Sequence, residues 1–151
     1  MKFTEFNFHP DIQKGINDAG YVECTPVQQQ AFTHAINGSD ILAQSQTGTG
    51  KTAAFLISLF QIYSTDRFSR KKALILVPTR ELAVQIETEA KILGKHLPYK
   101  IGSFYGGVGY GKQEMLLQEG VDFYIATPGR FIDFVKNNKI DLSDFTAAVI
   151  D

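Results

Sequence analysis

The residues with the clearest chemical potential run from position 45 to position 52. An apolar segment, 41–43, precedes this run and another, 53–57, follows it, a pattern that predicts a strand, a glycine-rich turn and a helix. Such a turn presents backbone N–H groups and the positive end of a helix to an anion. Lys51 adds a point charge, and the Thr52 hydroxyl can ligate the Mg²⁺ that accompanies a nucleoside triphosphate. We therefore predict a triphosphate site at Ser45, Gln46, Thr47, Gly48, Thr49, Gly50, Lys51 and Thr52; the alternative is a Gly/Thr-rich loop with an exposed lysine.

Size and composition limit the classes of protein to which the chain can belong. Its 151 residues, 44% of them hydrophobic, are enough for one domain with a core. A net charge of −1 means that any binding of nucleic acid must depend on a local group of donors. The single cysteine, Cys24, excludes an internal disulfide and fits a reducing cytosol. Without an apolar signal or membrane segment, we expect a cytoplasmic protein with no membrane partner.

The apolar pattern predicts an α/β fold. Pro10 and the pair Thr25-Pro26 are predicted to begin two helices. A separate basic cluster is interpreted as a solvated loop and consists of Arg67, Arg70, Lys71 and Lys72. Five short apolar runs predict parallel strands separated by helices: 41–43, 74–77, 101–104, 123–126 and 147–150. A polar or glycine cluster follows each run: 44–52, 78–81, 105–107, 127–130 and Asp151. Because parallel strands end at a common edge, we expect these clusters to meet there.

These clusters also carry a family resemblance. The segments concerned are Gly20 to Gln28, Ser45 to Thr52, Pro78 to Ala83, Gly106-Gly107 with Gln113, Thr127 to Arg130, and Ala147 to Asp151. In order and spacing they resemble the Q motif, motifs I and Ia, the glycine pair, motif Ib and the start of motif II of DEAD-box ATP-dependent RNA helicases. The resemblance covers essentially the whole chain. It implies a RecA-like parallel sheet flanked by helices, incomplete at the C-terminus, with a helical region at 1–38 and a partial ATP-binding domain at 39–151 that form a single unit.

The resemblance also implies roles in binding ATP and Mg²⁺. Gln28 would read the adenine edge, within a motif that includes Tyr21 and Thr25, and Phe3 would pack on the base. The alternatives are a capping box formed by Thr25 and Gln28 and a core position for Phe3. The residues implied in catalysis are Lys51, Thr52 and Asp151, of which Asp151 would hold the metal through water.

A second set of residues is implied in gripping the sugar–phosphate backbone of single-stranded or structured RNA. They are Pro78, Thr79, Arg80, Gly106, Gly107, Thr127, Pro128, Gly129 and Arg130. Thr79 and Thr127 are predicted N-caps, so helix N–H groups would point outward to phosphates at both. The alternative is ordinary capping, with the arginines in solvent or in internal ion pairs.

The sequence reaches only the first residue of motif II. The resemblance places the next glutamate, a second helicase domain and an arginine finger beyond it, so we expect these 151 residues to bind nucleotide without efficient hydrolysis or unwinding. In the family fold, a strand from later in the sequence lies between the phosphate-loop strand and the strand that ends at Asp151. Without that strand the sheet would have an unpaired gap, which favours self-association. The alternatives are a free-standing nucleotide- or RNA-binding module and another P-loop NTPase acting on DNA.

Overall fold

The computed structural model describes residues 1–65 and 71–151, which divide into two compact units. The first unit comprises Met1–Ser69 and Glu89–Leu97, and the second comprises Arg70–Thr88 and Pro98–Asp151. In the predicted basic loop, Arg67 and Arg70 lie outside the described residues. Within the described ranges, no helix combines the length and apolar character that a membrane crossing requires. The division into regions 1–38 and 39–151 stays a prediction.

The first unit is helical. Its elements are a 3₁₀ turn at Phe3–Phe6, α1 at Pro10–Asp18, α2 at Pro26–Ala35, α3 at Lys51–Tyr63 and the last residues of α4, which spans Arg80–Leu93. Proline in the first turn favours the starts of α1 and α2, as predicted, and the Thr25 side chain caps α2 by accepting from the Gln28 N–H. Ile12 and Ile16 of α1 are fully buried. The helix α3 packs mainly against α2 and also contacts α1, and its side chains are buried on most of its circumference.

The second unit contains the sheet. Its elements are β1 at Lys72–Leu76, the first part of α4, β2 at Ile101–Phe104, α5 at Gly111–Glu119, β3 at Phe123–Ala126, α6 at Pro128–Lys136, a 3₁₀ turn at Leu142–Asp144 and β4 at Phe145–Ile150. The strands are parallel and lie in the order β2-β3-β1-β4. All four residues of β3 are buried, as expected for a strand covered on both faces. The predicted strands at 101–104 and 123–126 are confirmed at those bounds, and those at 74–77 and 147–150 are confirmed with shifted ends.

The predicted strand at 41–43 is wrong. Residues 39–46 form neither helix nor strand, and the Leu42 side chain is fully exposed. A strand needs a hydrogen-bonding neighbour, and among the described residues the strands of the sheet pair with one another, in the order β2-β3-β1-β4, and not with this segment. The apolar run therefore precedes the glycine-rich turn as an exposed segment without regular secondary structure.

The strand β4 forms one edge of the sheet. It pairs with β1 along its length, and burial alternates along it, with every second residue exposed. The alternation ends at Ile150, whose side chain is 83% exposed. The prediction of self-association stays a prediction, and this edge is where strand addition would occur.

Candidate functional site

The glycine-rich turn of the first unit leads directly into α3. Gly50 is the N-cap residue of α3, and because glycine has no side chain, no N-cap side chain bonds the first N–H groups of the helix. Gly48 and Gly50 have φ values of +85° and +83°, a region that favours glycine. A Cβ atom at Gly48 would have no neighbour within 4 Å, so a ligand can approach the backbone there. Together with the ammonium of Lys51 and the hydroxyl of Thr52, these N–H groups form a donor set that fits a triphosphate with Mg²⁺.

Hydroxyl contacts inside the turn hold its shape. The Thr49 hydroxyl donates to the Gln46 carbonyl oxygen at 2.7 Å and lies 3.0 Å from the Ser45 hydroxyl. Thr47 and Gly48 lie at the exposed tip between them. The turn is therefore closed by its own side chains, although the segment before it is not a strand.

The Gln28 side chain connects the start of α2 to the glycine-rich turn. Its Oε1 accepts from the Thr25 N–H at 2.9 Å, which confirms the capping box, and its Nε2 donates to the Gly50 carbonyl oxygen at 3.1 Å. Only 4% of Gln28 is exposed. The amide keeps one further N–H and one lone pair for a ligand. The capping role and an adenine contact are therefore compatible, and the adenine contact stays a prediction.

Phe3 and Tyr21 belong to an aromatic cluster in the first unit. Phe3 is 1% exposed, and its ring lies 5.9 Å from the rings of both Tyr21 and Phe32. Phe3 is thus a core residue in this conformation, and its stacking on adenine stays a prediction. The Tyr21 hydroxyl donates to Glu89 Oε1 at 2.9 Å. Burial, followed by this hydrogen bond and the charge of Glu89, raises the pKa of Tyr21 to about 12.

The raised pKa of Tyr21 predicts a loss of stability at high pH. The folded state favours the neutral phenol, so its contribution is complete below pH 10, the ordinary pKa, and is lost as the pH rises towards 12. Thermal unfolding should therefore show wild type more stable than Tyr21→Phe at pH 8, with the difference shrinking above pH 10. A difference that is unchanged at pH 12 would contradict this assignment.

The carboxyl ends of the four strands meet at one edge of the second unit. Main-chain hydrogen bonds continue into the clusters beyond them: from Val77 N to the Ala126 oxygen (2.9 Å), from Thr127 N to the Phe104 oxygen (2.9 Å), and from Asp151 N to the Leu76 oxygen (3.0 Å). The sheet therefore brings together the clusters at 78–81, 105–107, 127–130 and Asp151, as predicted. The cluster at 44–52 belongs to the first unit, and its meeting with the other four clusters stays a prediction.

Two helices begin at this edge. Thr79 caps α4, since its hydroxyl accepts from the Leu82 N–H at 3.2 Å, and Arg80 is exposed with its guanidinium 5.2 Å from the centre of the Tyr105 ring. Thr127 is the N-cap residue of α6 but makes no side-chain capping bond, and Pro128 follows at the first helical position. The start of α6, including Gly129, therefore presents N–H groups that the Thr127 side chain does not cap.

A glycine loop, defined here as residues 105–110, lies between β2 and α5. Gly106 and Gly107 are exposed, and Gly107 has a φ of +81°. A Cβ atom on either would have no neighbour within 4 Å. The backbone of a nucleic acid can therefore approach this main chain closely.

Arg130 is buried, although it was predicted to add charge to a binding surface. It is 7% exposed, and its two terminal nitrogens donate to Gln113 Oε1 at 3.1 Å and to the Val108 carbonyl oxygen at 2.7 Å. The Tyr110 ring lies 4.0 Å from its guanidinium carbon. Arg130 is therefore bonded inside the protein, as in the alternative given above, but its partners are the uncharged oxygens of Gln113 and Val108 and not a carboxylate. Sequence reasoning missed Val108 and Tyr110 as contacts of Arg130; the tyrosine that follows the glycines was the available signal.

The predicted metal ligands belong to different units. Thr52 lies in the first unit and Asp151 in the second, where it continues the ladder to β1. In the described part of the chain, no group of three or more His, Cys, Asp or Glu side chains could hold a metal by itself. The roles of Thr52 and Asp151 in holding Mg²⁺ stay predictions.

Comparison with known families and structures gives a consistent match. The family model described as DEAD/DEAH box helicase matches residues 25–151. A solved structure described as a hypothetical ATP-dependent RNA helicase from Sulfolobus tokodaii is 30% identical, with a TM-score of 0.86 over 95% of this chain and 41% of that one. This likeness confirms the predicted RecA-like parallel sheet flanked by helices.

Curated relatives align along nearly the whole chain. Proteins named ATP-dependent RNA helicase RhlB are 46% identical in Hamiltonella defensa, over 100% of this chain and 37% of the relative, and 41% identical in Shewanella piezotolerans, over 99% and 36%. The RhlB of Xanthomonas campestris is 46% identical over 93% of this chain and 26% of its own length. The chain thus spans about a third of these relatives.

Proposed function

Since the chain belongs to the DEAD/DEAH box helicase family, we propose that it is the N-terminal ATP- and RNA-binding part of an ATP-dependent RNA helicase. The names of the relatives support this activity for the whole protein, of which these 151 residues would form about a third. The observation that carries most weight is the glycine-rich turn at 45–52, which leads directly into α3 and has Gly48 and Gly50 at positive φ. It is the arrangement of donors that a nucleotide phosphate requires.

The nucleotide would be held in three places. The N–H groups of the turn and Lys51 would bind the phosphates. Thr52 would bind Mg²⁺ directly, and Asp151 would bind it through water. Gln28 would read the base. Bound Mg²⁺ would neutralise charge on the phosphate oxygens. The bond from Gln28 to Gly50 supports a joint role, because one side chain connects the predicted base-reading motif to the phosphate turn.

RNA would lie along the edge where the strands of the second unit end. The residues at this edge are Pro78, Thr79 and Arg80, the exposed Gly106 and Gly107, and the start of α6 at Thr127, Pro128 and Gly129. Main-chain N–H groups and hydroxyls contact phosphates and sugars without distinguishing bases. Binding should therefore be independent of sequence and weaken with salt.

These 151 residues alone should bind nucleotide without efficient hydrolysis or unwinding. The relatives extend to almost three times the aligned length, and by resemblance a second helicase domain with an arginine finger lies in that remainder. Such a finger contributes roughly 10³–10⁵ in rate in related phosphate chemistry. A cytoplasmic location is part of the same proposal.

Nucleotide selectivity tests the proposal. ATP should bind the chain roughly tenfold more tightly than GTP, the worth of one well-placed hydrogen bond. Gln28→Glu keeps an acceptor for the Thr25 N–H but loses the donor, so it should reduce this preference, whereas Gln30→Ala, at an exposed position of the same helix, should not. Equal affinity of the wild type for ATP and GTP would remove the role of Gln28.

The choice of nucleic acid separates the remaining alternatives. In the full-length protein, RNA should stimulate ATP hydrolysis far more than DNA of the same sequence. Equal stimulation by DNA would favour another P-loop NTPase, and nucleotide binding without any stimulated hydrolysis would favour a binding module.

A further inference from the structure

Arg130 and its partner Gln113 together contact the glycine loop at its start, middle and end. Its partner Gln113 donates from Nε2 to the Tyr105 carbonyl oxygen at 3.0 Å, Arg130 itself donates to the Val108 carbonyl oxygen, and its guanidinium lies against the Tyr110 ring. Gln113, at 4% exposed, is as deeply buried as Arg130. Two buried side chains therefore fix a loop whose glycines are exposed.

We infer that Arg130 and Gln113 are positioning residues for RNA: they hold the glycine loop in the conformation that receives the sugar–phosphate backbone, and Arg130 does not itself touch a phosphate. This inference rests on the proposed function. Both terminal nitrogens of Arg130 are engaged within the protein, and the face of its guanidinium is occupied by Tyr110. A guanidinium suits this task because it offers several donors in a fixed plane while stacking on a ring.

The loop needs such support because glycines do not define their own conformation. A Cβ atom added to Gly106, Gly107 or Gly109 would meet nothing within 4 Å, so no neighbour confines the backbone on that side. Glycine loses more conformational freedom on ordering than any other residue. A loop that is already ordered avoids this cost when RNA binds.

The charge of Arg130 is a separate variable that the test must control. Among the described residues, Arg130 forms no ion pair with a carboxylate, so its positive charge under the loop is not directly neutralised. Arg130→Lys keeps this charge but loses the planar fork, and Gln113→Ala keeps Arg130 but removes its amide partner. Loss of RNA affinity in these two variants therefore measures positioning and not charge.

The test is RNA affinity combined with backbone order in the 151-residue chain. Arg130→Lys and Gln113→Ala should each weaken binding of a single-stranded RNA about tenfold, and the double variant should lose little more, as for residues of one network. The NMR order parameters of Gly106 and Gly107, near the ~0.85 of rigid backbone in wild type, should fall in both variants. Lys136→Ala and Gln118→Ala, at exposed positions of the same two helices, are the matched controls.

Two results would overturn the inference. In the first, Arg130→Lys and Gln113→Ala bind RNA with wild-type affinity, whereas Arg130→Ala binds RNA weakly. The salt dependence of RNA binding by Arg130→Ala would then be reduced by about one phosphate contact. The other is unchanged order of Gly106 and Gly107 in the variants. If wild type bound no RNA, the proposed function would fail, but the order parameters would still decide whether Arg130 positions the loop.

Discussion

Lys51→Ala is expected to weaken ATP binding by roughly 10- to 100-fold, since hydrogen bonds to charged groups are worth about 1.5–3 kcal/mol. Lys51 is the first residue of α3 and follows the Gly50 cap directly, so its ammonium is placed to meet the phosphates that the helix N-terminus attracts. Isothermal titration of ATP into the chain in the presence of Mg²⁺ measures the change.

The same substitution should leave the fold nearly intact. Lys51 is only partly buried, and alanine is a good helix former at this position. Lys95→Ala removes an exposed lysine of the first unit and serves as the control for a general loss of positive charge. Unchanged ATP affinity in Lys51→Ala, with the control also unchanged, would exclude the turn at 45–52 as the phosphate site.

Gly15→Ala is expected to destabilise the protein by about 2 kcal/mol, although alanine favours helix over glycine by about 1 kcal/mol. Gly15 is buried in α1, and a Cβ atom there would lie 2.0 Å from the main-chain oxygen of Leu93 at the end of α4. A backbone oxygen cannot rotate away, so the two helices must separate. Their packing is reinforced nearby by His96, whose Nε2 lies 2.6 Å from Asp18 Oδ2.

Chemical and thermal unfolding can measure this effect. A loss of about 2 kcal/mol corresponds to a fall in Tm of roughly 4–8 °C for a protein of this size. Gly111→Ala is the matched control, because Gly111 begins α5 and a Cβ there has no neighbour within 4 Å. Equal stability of Gly15→Ala and Gly111→Ala would show that α1 and the end of α4 are not in close contact in solution.

Local pattern was enough to predict most of the fold. The strands β2 and β3 were predicted at their bounds because short apolar runs between glycine and polar clusters leave few alternatives. The starts of α1 and α2 followed from proline and capping residues. These features are written within a few residues of one another, so the sequence alone determines them.

The features that were missed depend on distant partners. Residues 41–43 have the composition of a strand, but a strand also needs a hydrogen-bonding neighbour, and β2, β3, β1 and β4 pair with one another without this segment. The burial of Arg130 is decided by Gln113, seventeen residues away, and by the carbonyl oxygen of Val108. A three-residue run or a single arginine carries no information about such contacts.

The open side of β4 makes protein concentration a variable in every measurement suggested above. Sheets commonly deter unwanted pairing with lysine or proline on their outermost strand, and Phe145–Ile150 contains neither. The exposed apolar side chain of Ile150 also favours the addition of a strand from another molecule. Titrations and melting curves should therefore be repeated over a range of dilutions, so that intermolecular association is not mistaken for affinity or stability.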